Sequence, residues 1–124
     1  MGDALVVKDL RKHYPVRGSV LGSLGLGERR VVHAVDGVSF AVAHGEILGL
    51  VGESGCGKTT TGKLVTRLEA PTSGSIVFEG RDIAGLSRSQ LRSVRHNLQI
   101  IFQDPYDSLD PRYTVEMTVQ EPLL

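Results

Sequence analysis

The chain has 124 residues, enough for one small domain and too few for two ordinary ones. Fourteen Lys and Arg balance fourteen Asp and Glu, so no net field draws in nucleic acid or an anionic membrane, and a polyanionic ligand needs a local site. With 40% hydrophobic residues the chain is expected to fold, its single cysteine, Cys56, excludes an internal disulfide framework, and the absence of a long apolar run or a signal-like start reads as cytosolic. The outlier is glycine, 15 of 124 residues or about 12% against a usual roughly 7%, which directs attention to where the glycines sit.

Leu5 to Tyr14 has the content of a short strand, ended by Pro15, which has no N–H to give to a ladder. Val16 to Arg30, with Gly18, Gly22, Gly25 and Gly27 around isolated Val and Leu, has the composition of a loop connector. Val35, Val38, Phe40 and Val42 fall at near-alternate positions and predict a half-buried strand, turned at His44-Gly45. Ile47 to Val51 is a short apolar run bounded by glycines, as expected of a strand buried on both faces in a parallel sheet. Lys58 to Glu69 carries Leu64, Val65 and Leu68 at helical spacing, and Ala70-Pro71 stops it.

Ser75 to Glu79 is β-branched and strand-like between the turns Thr72-Ser73-Gly74 and Gly80-Arg81-Asp82. Ser87 and Gln90 have the spacing of a capping box ahead of a polar helix reaching about His96. Leu98 to Phe102 is another apolar, β-rich run and is expected as a strand, followed by a turn-rich loop between Asp104-Pro105 and Asp110-Pro111. Thr114 is placed to cap a last helical stretch reaching Pro122.

Gly52-Glu53-Ser54-Gly55-Cys56-Gly57-Lys58-Thr59 matches Gly-x-x-x-x-Gly-Lys-[Ser/Thr] at every fixed position, with an apolar run before it and an amphipathic helix after it. Glycines reach backbone angles closed to other residues, which lets successive N–H groups curl around phosphate oxygens at a helix N-terminus. In that arrangement Lys58 lies along the β- and γ-phosphates, the Thr59 hydroxyl completes the coordination of a phosphate-bound Mg²⁺, and Thr60 reaches the α-phosphate. Gly52, Ser54, Gly55 and Gly57 supply the backbone. Cys56 reads as a bystander, a small side chain suited to a tight loop in a step that needs no thiol.

Two further positions are open on the residues alone. Tyr14 either stacks on a nucleobase or packs at the sheet edge. At the end of the apolar run 98–102, either Asp104 holds the metal or Gln103 is the metal and water ligand that senses the γ-phosphate.

Together these segments resemble the N-terminal part of an ABC transporter ATP-binding subunit of the oligopeptide/dipeptide importer class, over nearly the whole chain. The resemblance rests on Lys12-His13-Tyr14-Pro15, on His33-Ala34-Val35-Asp36-Gly37-Val38-Ser39-Phe40, on Gly45 to Thr61, on Pro71-Thr72-Ser73-Gly74, on Ile100-Ile101-Phe102-Gln103-Asp104-Pro105-Tyr106 and on Ser108-Leu109-Asp110-Pro111-Arg112.

It implies an α/β chain of the P-loop NTPase fold, an antiparallel β subdomain plus a P-loop core, left incomplete. ATP and Mg²⁺ become the implied cofactors, Tyr14 the aromatic that stacks on adenine, and Gln103 the Q-loop glutamine touching Mg²⁺ and the attacking water. Transmembrane permease subunits would dock at roughly Asp104 to Tyr113, a second ATP-binding subunit would complete the site, and the complex would sit on the cytoplasmic face of the inner membrane. No nucleic acid partner is implied.

The family's Leu-Ser-Gly-Gly-Gln signature, its acidic strand end and its switch histidine have no match in Tyr113 to Leu124. Residues 1–124 therefore read as one truncated ATP-binding domain that does not hydrolyse ATP alone. Two other readings are a stand-alone P-loop kinase or NTPase with Asp104 on the metal, and a non-catalytic nucleotide-binding or docking fragment.

Overall fold

Two 13-residue strands carry most of the sheet: β1 (Asp3–Pro15) and β2 (Val31–Ala43) pair antiparallel along their length. The computed structural model describes residues 2–16, 30–104 and 109–121. The connector expected at 16–30 falls almost wholly outside the described residues, as do Pro105, Tyr106 and Ser108 of the turn-rich loop and the end of the last helix at Pro122. β1 pairs on its other side with β3 (Ser73–Phe78), which pairs in turn with the short β4 (Arg81–Asp82), giving the order β2-β1-β3-β4.

β1 is too long to run straight between two partners, and its registers shift around Lys8 to Arg11. Asp9 sits there at φ +46 and donates its N–H to Ser39 Oγ at 2.8 Å. Gly74 makes the close approach possible, since a Cβ at that position would lie 2.5 Å from Asp9 O.

The core lies on one face of this sheet. Val7, Leu10, Val35 and Ile76 from the strands meet Leu64 of α1 (Lys58–Val65), Ile83, and Leu91 and Val94 of α2 (Arg88–Val94), all buried. The spacing of Leu64 thus does what its helical position predicted, whereas Leu68 lies beyond the end of the helix and is half exposed. α2 starts at a complete capping box: Ser87 Oγ accepts from Gln90 N–H while the Gln90 side chain accepts from Ser87 N–H. α3 (Val115–Gln120) starts as expected at Thr114, whose Oγ1 accepts from Met117 N–H at 3.2 Å.

Two expected strands are not formed. Ile47 to Val51 lies in no strand, and Ile47 and Val51 are 96% and 94% exposed; Leu98 to Phe102 likewise has no ladder, with Ile101 97% exposed. A strand buried on both faces requires neighbours on both edges, and the described residues supply none for either run. The sheet among the described residues is antiparallel throughout. No described helix is long and apolar enough to cross a membrane.

Candidate functional site

The segment between β2 and α1 turns through two conformations that favour glycine, Gly55 at φ +80 and Gly57 at φ +97. Gly57 is also pressed against β2: a Cβ there would lie 2.3 Å from Ala34 O. This contact places the first turn of α1 against the beginning of β2. At the other end of the loop a Cβ on Gly52 would lie 2.6 Å from Cys56 Sγ, so the missing side chain at 52 makes room for the cysteine and the loop closes on itself.

Lys58 is folded inward over this loop. Its Nζ donates to Gly52 O at 2.7 Å and to Glu53 O, with Cys56 Sγ at 3.6 Å. The ammonium group is therefore held by main-chain carbonyls, weak partners for a cation that an anion of higher charge displaces. α1 begins without a side-chain cap and without an acidic residue in its first turn. Its leading N–H groups and the positive end of its dipole are left to whatever occupies the space in front of them.

That space is a cavity of about 350 Å³ between the loop and β2, walled by Val32, His33 and Ala34 on one side and by residues 55–60 on the other. Of the sequence-predicted residues, Gly55, Cys56, Gly57, Lys58, Thr59 and Thr60 line it together; Gly52 and Ser54 belong to the exposed start of the loop. Thr61 differs from its neighbours in turning back to donate Oγ1 to Gly57 O at 2.9 Å. On the opposite side of Lys58 and Thr59 is an open apolar groove of about 530 Å³ formed by Phe40, Val42, Leu48, Leu50 and Val65.

Tyr14 does not line the cavity, but its pairing partner across the ladder, Val32, does. The tyrosine is 37% exposed, its hydroxyl donates to Glu69 Oε1 at 2.6 Å, and Lys12 Nζ stands 5.0 Å from its ring centroid. Gln103 lies in the exposed stretch 101–104 and lines neither cavity.

Three residues escaped the sequence reading. His33 walls the cavity, and Glu69 anchors Tyr14. Arg67 is 8% exposed at φ +53 and donates to three carbonyls: Nε to Ile83 O at 2.9 Å, Nη2 to Leu86 O at 3.1 Å and Nη1 to Glu69 O at 3.3 Å. Burial, with help from Arg95, pushes its pKa below the ordinary arginine value. The only signal for it was a charged residue at the end of an amphipathic helix, which usually means solvent.

The model of the ABC transporter family matches residues 35–121. The oligopeptide transport ATP-binding protein AppF of Bacillus subtilis is 50% identical over 121 residues, 95% of this chain and 35% of its own length. The dipeptide transport ATP-binding protein DppF of Escherichia coli is 44% identical over 94% of this chain and 33% of its own. The glutathione import ATP-binding protein GsiA of Pectobacterium atrosepticum is 47% identical over 97% of this chain and 19% of its own.

Among solved structures, the dimeric bacterial ABC transporter cassette MJ0796 superimposes with a TM-score of 0.73 at 25% identity, over 96% of this chain and 46% of that one. The chain thus spans about a third of the length of the peptide-transport relatives named here. A glycine-bounded loop seated on β2, an inward lysine at an uncapped helix start and a family match over residues 35–121 lead to one conclusion: the chain belongs to the ABC transporter family.

Proposed function

We propose that the chain is part of the ATP-binding subunit of an ABC importer, whose whole form couples ATP binding and hydrolysis to uptake of peptides or related small solutes. The observation that carries this reading is the cavity in front of α1, where an uncapped helix start, Lys58, Thr59 and Thr60 face the same space. The names of the relatives, oligopeptide, dipeptide and glutathione transport proteins, support the substrate class.

In this reading a triphosphate displaces the Gly52 and Glu53 carbonyls from Lys58, whose ammonium group then lies along the β- and γ-phosphates. The N–H groups from Gly55 to Thr60 take the phosphate oxygens, and Thr60 meets the α-phosphate. Thr59 lines the cavity and carries a neutral hydroxyl oxygen, the hard donor Mg²⁺ prefers, and the amide oxygen of Gln103 would be a second neutral oxygen ligand. Bound Mg²⁺ supplies charge neutralisation between the phosphates. Tyr14 stacks on the adenine, directly across the ladder from the cavity wall at Val32.

The remaining catalytic groups, the Leu-Ser-Gly-Gly-Gln signature and the acidic strand end, have no counterpart in these 124 residues. The chain alone therefore binds Mg-ATP without turning it over. A second ATP-binding subunit faces the loop in the working transporter. Permease subunits dock near Asp104 to Tyr113, which holds the complex at the cytoplasmic face of the inner membrane.

Isothermal titration of the purified chain with Mg-ATP tests the nucleotide site. Saturable binding that Lys58→Ala abolishes, without release of inorganic phosphate, is the expected result. Equal heats for the wild type and Lys58→Ala would overturn the assignment of the loop.

A further inference from the structure

We propose that His13, His33 and Asp36 form a binding site for one divalent transition-metal ion, of which Zn²⁺ is the natural probe, separate from any Mg²⁺ carried by a nucleotide. The three side chains come together because of a defect in the ladder. His13 pairs with His33 and Lys12 with Val35, so Ala34 is an extra residue in β2 at that point. An extra residue reverses the alternation of side chains downstream of it, and His33 and Asp36, three apart, reach the same face instead of opposite ones.

The two imidazoles stack with centroids 4.0 Å apart and planes tilted by 35°. One potential ligand atom from each of the three residues falls within 4.8 Å of the others. The geometry is wrong for hydrogen bonds and close to right for a metal. His13 Nε2 lies 3.7 Å from Asp36 Oδ1 and His33 Nδ1 lies 3.6 Å from Asp36 Oδ2, both beyond hydrogen-bond reach. His13 Nε2 is buried without a hydrogen-bond partner. Metal–nitrogen and metal–oxygen bonds of roughly 2.0–2.2 Å at tetrahedral angles put neighbouring ligand atoms about 3.3–3.6 Å apart, and the gap from His33 Nδ1 to Asp36 Oδ2, 3.6 Å, falls at that spacing.

Imidazole nitrogens select zinc, copper or nickel over magnesium and calcium, and three protein ligands leave a fourth position for water. The groups around the carboxylate are compatible with this. Arg11 donates to Asp36 Oδ1, but its other amino group is held by Asp9 at 2.9 Å, so its charge is shared between two carboxylates. Oδ2 is the oxygen turned towards His33. Arg11 then orients the carboxylate from behind, as hydrogen-bonding partners of metal ligands do. Since His33 also walls the cavity in front of α1, the two sites share one side chain.

The test is a titration of the full chain, free of nucleotide and in a non-chelating buffer, with Zn²⁺ by calorimetry and with Co²⁺ by visible absorption. One equivalent is expected, with cobalt bands of nitrogen and oxygen coordination. His13→Ala and His33→Asn should each weaken binding about tenfold or more, and Cys56→Ser should leave it unchanged. His33 is about half exposed, so its replacement is expected to keep the far-ultraviolet circular dichroism of the wild type and to isolate the metal effect. Absence of saturable binding in the folded wild type, or binding kept by His33→Asn and lost by Cys56→Ser, would overturn the proposal.

Discussion

The Tyr14 hydroxyl donates to Glu69 Oε1 at 2.6 Å, joining the end of β1 to the segment that leaves the loop's own helix, four residues past its last turn at Val65. Lys12 closes the same corner, with its Nζ 3.1 Å from Glu69 Oε1 and 2.7 Å from Ala70 O. A tyrosine held by its oxygen keeps its ring at a fixed place along the ladder, opposite Val32 and next to the cavity.

Stacking and hydrogen bonding by Tyr14 make separable predictions. Tyr14→Phe keeps the ring and loses the tether, and is expected to leave the affinity for Mg-ATP within about twofold. Tyr14→Ala loses base stacking, worth about 1–3 kcal/mol, and should weaken binding by about tenfold or more in the same titration. Equal weakening by both variants would assign the tether, not the ring, to nucleotide binding.

Glu69 also carries a pH dependence. The hydrogen bond from Tyr14 and the charge of Lys12 hold its carboxyl below the usual value, against the opposing effect of burial. A depressed carboxyl contributes stability that is present above its unfolded pKa of about 4.3 and is lost as pH falls through the lower folded value. Glu69→Gln should therefore cost about 0.5–1 kcal/mol at neutral pH, the range of a partly exposed pair. In thermal melts the gap between the two proteins should close below about pH 4.

Gly57 joins the loop to α1 and touches β2 at Ala34. With φ at +97 and Ala34 O 2.3 Å from the place of a Cβ, Gly57→Ala combines backbone strain with a main-chain clash. A loss of about 1–3 kcal/mol in chemical denaturation is expected, together with loss of Mg-ATP binding. Gly55→Ala has the same kind of φ but open space around it, so it should cost less.

What the sequence showed and what it hid divide along physical lines. The alternation of Val35, Val38, Phe40 and Val42, the Ser87–Gln90 box and the Thr114 cap are local signals, and each appears where it was expected. The loop from Gly52 to Thr59 was legible because glycine spacing encodes backbone angles directly. Ile47 to Val51 failed as a strand because a ladder belongs to two segments, and an apolar run does not say where its neighbours are. The convergence of His13, His33 and Asp36 was invisible because it depends on one extra residue, Ala34, in the pairing of two strands.

Arg67 is the least legible of the structural residues and makes a sharp prediction. Its guanidinium is the donor for carbonyls of Ile83, Leu86 and Glu69, and so ties the segment after α1 to the stretch between β4 and α2. Arg67→Met fills similar volume but leaves those acceptors without this donor, and is expected to destabilise by about 1–3 kcal/mol. Arg67→Lys should recover little of this, because one ammonium group does not span the three directions of the fork. Equal stability of Arg67→Met and wild type in urea would show that water replaces the guanidinium.

The exposed apolar runs predict how the chain behaves in isolation. Ile47, Val51 and Ile101 are more than nine-tenths exposed, and Leu48 and Leu50 of the first run line an open groove with Phe40. Apolar segments of high β propensity with unpaired backbone groups are templates for pairing between chains. The 124 residues alone should bind a hydrophobic dye and self-associate as concentration rises in light scattering. Ile47→Lys with Ile101→Lys should reduce both, because a charge on each run opposes edge-to-edge pairing while the buried set of Val7, Leu10, Leu64 and Ile76 is untouched. A monomeric wild type at every concentration, with no dye binding, would mean that these runs find cover within one chain.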